Sequence, residues 1–208
     1  MANRRVSRIL AGDRYEVLAD SFEGKRLNRP NDIVCRSDGS LYFTDPAGRL
    51  PFPERELAAG VYRIAPEGGI SLVAECELPN GLAFSPDESV LYVANTRSTM
   101  YINRFELNPD GSLRQRSIFA DMSSDEMDGV PDGMKVDASG RVYCTGPGGT
   151  WVFNQDGERI GIIRTPEIPA NLAFGGPDLK TLFLTARTSV YLLRLRTPGQ
   201  PHPWYGRR

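Results

Sequence analysis

Pro79-Asn80-Gly81-Leu82-Ala83-Phe84-Ser85-Pro86-Asp87, running on to Leu91-Tyr92-Val93-Ala94, decides how this chain folds. A short apolar run closes on a Ser-Pro-Asp turn and a second β-rich run follows, the pattern of an antiparallel hairpin. The pattern occurs three more times. Pro30-Asn31-Asp32-Ile33-Val34 leads through Ser37-Asp38-Gly39-Ser40 to Leu41-Tyr42-Phe43-Thr44. Pro131-Asp132-Gly133-Met134-Lys135-Val136 leads through Ala138-Ser139-Gly140 to Val142-Tyr143-Cys144-Thr145. Pro169-Ala170-Asn171-Leu172-Ala173-Phe174 leads through Gly175-Gly176-Pro177-Asp178 to Leu182-Phe183-Leu184-Thr185. Third strands follow at Gly60–Ile64, Tyr101–Phe105, Thr150–Phe153 and Val190–Leu193. Fourth strands are legible at Leu72–Ala74, Ile118–Ala120 and Gly161–Ile163. A period of roughly 40 to 50 residues, each unit a four-stranded meander, is the signature of β-propeller blades.

The ends are irregular. Arg5–Leu10 and Tyr15–Ala19, split by Gly12-Asp13, read as the last two strands of a blade, and the final unit shows three strands before Thr197-Pro198-Gly199 stops it. The expectation is one all-β domain over 1–208, with a partial blade in 1–20, blades over 30–75, 79–120, 131–164 and 169–196, and a tail over 197–208. That makes seventeen strands and an incomplete ring of about four and a half blades, with open sheet edges prone to pairing with another chain.

Composition agrees and narrows the chemistry. The 208 residues include 21 Gly and 16 Pro, which leave little room for long helices. Lys+Arg number 25 against 26 Asp+Glu, so no basic stripe invites nucleic acid. No apolar run reaches the length of a membrane span, and the N-terminus lacks the apolar stretch of a signal peptide. Cys35, Cys76 and Cys144 are dispersed and odd in number, as expected of core thiols in a reducing, cytoplasmic setting. The single histidine, His202, stands between prolines, which excludes a cluster of histidine ligands and gives a Ser–His–Asp relay no support. Any catalysis must run on carboxylates, amides or a metal held by oxygen.

The first strand of a propeller blade lines the central channel, so residues that open these strands converge at one mouth. Asn31, Asn80 and Asp132 open three of them at the same position after Pro. A carboxylate with neutral amide oxygens around an axis suits a hard divalent cation, calcium first, with zinc, magnesium or manganese as alternatives. The competing reading is that Pro-Asn and Pro-Asp simply make turns. In the fourth unit Ala170 holds that position and Asn171 stands one place beyond it, so Asn171 is not counted.

Arg29-Pro30-Asn31-Asp32, Asp38-Gly39-Ser40-Leu41-Tyr42-Phe43-Thr44-Asp45-Pro46, Pro79–Asp87 and Pro131-Asp132-Gly133-Met134, in that order, resemble the SMP-30/gluconolactonase/luciferin-regenerating enzyme family, and the chain looks like its bacterial gluconolactonases. The resemblance implies a six-bladed propeller, here truncated at its N-terminal side. It implies one divalent metal at the channel mouth and hydrolysis of a sugar lactone or related cyclic ester. Carried over by motif, Asn80 and Asp132 resemble metal ligands and Asp132 also the acid/base. Asn31 resembles a ligand or substrate contact, and Arg29 a substrate-orienting residue.

The chain departs from the family pattern in one place. The resemblance implies a glutamate ligand in a Glu-Gly-Pro-like motif upstream of Asn31, whereas Glu23-Gly24 and Glu67-Gly68 read as turns. The chain alone is therefore expected to bind metal weakly, hydrolyse lactones poorly and self-associate through its open edges. Two rival readings stand beside lactone hydrolysis: a non-catalytic propeller that pairs with another chain, and a different hydrolysis on the same fold. The Pro46–Ala59 loop reads as a lid or an exposed loop, and Asp125-Glu126-Met127-Asp128 as a solvated acidic loop. Trp151, Tyr42, Tyr62, Tyr92 and Tyr143 read as packing between blades.

Overall fold

The computed structural model describes residues 3–48, 55–97, 99–124 and 127–203. Residues 49–54 of the Pro46–Ala59 loop and the Asp125-Glu126 pair therefore lie outside the described residues. The described residues form nineteen strands and no helix. It divides into two compact units, Met1–Pro79 and Asn80–Arg208.

In the first unit, β1 (Val6–Ile9) pairs with β2 (Tyr15–Ala19), and β3 (Ser21–Phe22) pairs with β4 (Lys25–Arg26). A four-stranded meander follows: β5 (Ile33–Cys35), β6 (Leu41–Asp45), β7 (Gly60–Ile64) and β8 (Ile70–Glu75), all antiparallel. Its core gathers Val6, Ala19, Leu27, Phe43, Tyr62 and Ile64, with the Phe43 and Tyr62 rings stacked at 5.7 Å. The β3–β4 hairpin is the departure from the sequence expectation and accounts for the two additional strands. Its turn residues Glu23 and Gly24 both have positive φ (50° and 77°), the backbone of a tight two-residue hairpin turn. Strands of two residues are too short to show any periodicity.

The second unit holds a meander of β9 (Pro79–Phe84), β10 (Val90–Asn95), β11 (Tyr101–Leu107) and β12 (Leu113–Asp121). A second meander contains β13 (Met134–Val136), β14 (Val142–Gly146), β15 (Gly149–Phe153) and β16 (Arg159–Ile163). A three-stranded sheet of β17 (Pro169–Gly175), β18 (Thr181–Ala186) and β19 (Val190–Arg194) completes it. In the first of these meanders burial falls from the inner to the outer strands: β9 and β10 are buried along their whole length, whereas β12 exposes Arg114 through Ile118. Strands buried on both faces lose the polar alternation of a half-exposed sheet, which is why β9 and β10 read as continuous apolar runs. Tyr92, Ile102 and Phe119 of the first meander pack on Met134, Trp151 and Phe153 of the second. Tyr143 and Val152 pack on Leu172, Leu182 and Leu184 of the third sheet. This blade-on-blade packing is that of a propeller. The first residues of the tail bond back to the second unit. Pro198 O accepts from Ala138 N at 2.9 Å, Gly199 N donates to Leu179 O at 2.9 Å, and Gln200 N donates to Val136 O at 3.0 Å.

Candidate active site

The segments that carry Asn80 and Asp132 touch because two glycines let their backbones approach. The Gly81 N–H donates to Asp132 O at 3.0 Å, and the Gly133 N–H donates to Ala170 O at 3.0 Å, so the heads of three successive inner strands are joined by backbone bonds. A Cβ on Gly81 would collide with Asp132 O and stand 2.9 Å from Met134 N. One on Gly133 would collide with Asn171. The Asn-Gly and Asp-Gly pairs thus serve close backbone approach. Asn80 is 9% exposed and lies within β9, not in a turn. Asp132 is partly buried just before β13, with its N–H on Thr145 O at 3.3 Å.

The register of the inner strands follows the sequence reading. Ile33 faces Phe43, Met134 faces Cys144 and Leu172 faces Leu184, which puts Asn31, Asp132 and Ala170 at equivalent positions of their blades. Ala170 offers no ligand. Asn171 turns its Oδ1 back onto Leu172 N at 2.8 Å.

Arg29 and Asn31 lie in the first unit on a segment held by the end of β6. The Asp45 carboxylate accepts Asn28 N at 2.7 Å through Oδ2 and Arg29 N at 2.6 Å through Oδ1. Thr44 accepts Asn31 N on its carbonyl at 2.9 Å and Asp32 N on Oγ1 at 3.1 Å, and its own N–H donates to Asp32 O at 3.0 Å. Pro30 has no N–H, so Thr44 and Asp45 account for every backbone donor from Asn28 to Asp32. Behind this segment Arg4 Nε donates to Leu27 O at 2.6 Å, and Asn28 Nδ2 reaches Leu57 O at 3.2 Å. The side chains of Arg29 and Asn31 are exposed. Asp45 is fully buried. That burial pushes its carboxyl up to about 6, against the two N–H donors and the Arg4 guanidinium, which pull it down.

Sequence reasoning did not single out Asp45. The available signal was a carboxylate closing the apolar run Leu41-Tyr42-Phe43-Thr44, which is costly unless backbone donors meet it. The aromatic side chains on the strands behave as expected: Tyr42, Tyr62, Tyr92, Tyr143 and Trp151 are all buried in the packing. Cys144, enclosed beneath Asp132, has its thiol pushed well above the usual range by burial, as befits an inert core residue. Among the described residues no three His, Cys, Asp or Glu side chains gather as a metal cluster. The Asn80 carboxamide and the Asp132 carboxylate would offer a cation oxygen donors, a set whose chemistry fits a hard divalent ion.

These sheets define an all-β chain of propeller blades. The family model for the SMP-30/gluconolactonase/LRE-like region matches residues 1–188, and the chain belongs to that family. It is 36% identical over 195 residues to a gluconolactonase of Zymomonas mobilis, covering 88% of this chain and 55% of that protein. A pentonolactonase of Haloferax volcanii is 31% identical over 195 residues, covering 89% of this chain and 61% of that protein. A solved gluconolactonase of Xanthomonas campestris superposes with a TM-score of 0.83 at 36% identity, over 95% of this chain and 66% of that one. A solved calcium-binding regucalcin of Agrobacterium tumefaciens shares the fold, with a TM-score of 0.77 at 23% identity over 93% of this chain and 70% of that one. The chain thus spans little more than half the length of the first two relatives.

Proposed function

We propose that this chain carries the catalytic residues of a sugar lactonase, with Asp132 as the acid/base. The observation that supports the reading is the Gly81–Asp132 backbone bond, which joins the head of β9, where Asn80 lies, to the segment of Asp132 just before β13. Asn80 and Asp132 would hold a divalent cation, calcium foremost, and Asn31 is a further ligand or substrate contact. Such a cation, when bound, supplies Lewis-acid polarisation of the lactone carbonyl and charge to offset the developing oxyanion. Asp132 takes the proton of the attacking water and returns it to the leaving ring oxygen. Arg29 orients the hydroxyls of the sugar. No nucleophilic Ser or Cys is required, in keeping with the enclosed Cys144.

Hydrolysis of glucono-1,5-lactone, followed by acid release, tests the proposal on the protein stripped with chelator and then resupplied with calcium. The expected result is a rate above the uncatalysed one that falls on stripping and returns with the ion. A rate equal to that of buffer under both conditions would leave the non-catalytic reading in its place.

A further inference from the structure

Arg29 and Asn31 have exposed side chains on a segment outside any strand, yet the proposed chemistry needs them in fixed places. Free loops do not supply that precision; anchors do. The anchor here is local. Two adjacent residues, Thr44 and Asp45, take up every backbone N–H between Asn28 and Asp32, and Asp45 alone takes the two that precede Pro30. Both oxygens of the carboxylate are used, one for each amide. We infer that Asp45 is a positioning residue: its buried carboxylate clamps the backbone of Asn28 and Arg29 and thereby sets where the Arg29 guanidinium meets the substrate.

The inference deepens the lactonase reading and rests on it for its kinetic consequence, while the clamp itself can be measured without substrate. An uncharged carboxamide in place of Asp45 keeps the shape but offers one acceptor oxygen and an NH2 group, so one of the two amides faces a donor instead of an acceptor. The Pro30 ring keeps φ of its own residue fixed, so displacement of Arg29 is carried into the position of its side chain.

The test combines amide hydrogen exchange with kinetics in a double-mutant cycle. In Asp45→Asn, exchange at Asn28 or Arg29 should speed up by about tenfold or more, while amides of β9–β16 keep their wild-type rates. With glucono-1,5-lactone, Asp45→Asn should raise KM about tenfold with kcat within about twofold of wild type. In an Arg29→Ala background the same change should add less than about twofold, because its effect runs through Arg29. Asp45→Glu, which keeps the charge on a longer stem, should fall between wild type and Asp45→Asn in both readouts, and it serves as the test should Asp45→Asn fail to fold. Unchanged exchange in either variant would overturn the clamp. An equal kinetic penalty with and without Arg29 would reduce Asp45 to a general stabiliser and overturn its positioning role. If the wild-type protein shows no lactone hydrolysis, the lactonase reading falls, and the exchange measurement decides the clamp alone.

Discussion

The backbone N–H of Gly81 donates to the carbonyl oxygen of Asp132 at 3.0 Å, and that bond ties the head of β9 to the head of β13. A methyl group on Gly81 has no room, because Asp132 O and Met134 N already occupy its place. Gly81→Ala should therefore destabilise the chain by about 1–3 kcal/mol, the usual cost of overpacking a tight contact. Gly69→Ala, where a Cβ meets open space, should stay within about 0.5 kcal/mol of wild type. Denaturant midpoints for the two variants would settle the comparison, and equal midpoints would mean the strand heads are not closely joined.

Asp45 makes stability depend on pH in a defined direction. Its folded carboxyl is raised to about 6 from an ordinary value of 3.8, so the native state holds its proton more tightly than the unfolded chain. The stabilisation this provides is complete below about 3.8 and is lost as pH rises through about 6, a change of about 3 kcal/mol. Arg4 faces the carboxyl from the N-terminal segment and Tyr62 from β7, and Glu23 and Glu75 face that tyrosine in turn. Measured against Asp45→Asn, wild-type stability should fall between pH 4 and pH 7. A difference that stays flat or rises over that range would contradict the account.

The thiols should divide by burial. Cys76 and Cys144 are buried and Cys35 is half-buried, and burial disfavours the thiolate. A thiol reagent applied to the native protein should modify Cys35 first, with Cys76 and Cys144 reacting only on unfolding. Prompt labelling of Cys144 would show that the floor beneath Asp132 is open.

Much of this architecture could be read from the residues. The repeated heads Pro30-Asn31, Pro79-Asn80, Pro131-Asp132 and Pro169-Ala170 lead into β5, β9, β13 and β17 as expected, because continuous apolar runs and Asp-Gly turns report directly on inner strands and hairpins. The equivalence of Asn31, Asp132 and Ala170 was legible for the same reason, since register follows from turn position. The β3–β4 hairpin was not, as two residues carry no pattern. Asp45 was missed because the value of a buried carboxylate depends on which amides surround it, and those of Asn28 and Arg29 are supplied by a segment distant in sequence. The use of Gly81 and Gly133 for close approach was hidden too, because a glycine after Asn or Asp looks the same in a turn.

Exposed apolar side chains at sheet edges lead to a prediction about association. Ile9 is 86% exposed and Tyr15 58% on the β1–β2 hairpin, and Leu192 is 63% exposed on β19. Strand edges with apolar side chains favour pairing between chains, and charge suppresses it. Light scattering of the 208-residue chain should rise with concentration, and Leu192→Lys should lower it. A chain that stays monomeric over the whole concentration range would remove these edges as sites of association.

Asp132 carries the central claim, and replacing it with asparagine tests that claim most directly. Asp132→Asn keeps the size of the side chain but removes the proton acceptor, so the rate of glucono-1,5-lactone hydrolysis relative to wild type should fall by at least about a hundredfold. A variant that hydrolyses the lactone as fast as wild type would take Asp132 out of the mechanism and the acid/base proposal with it.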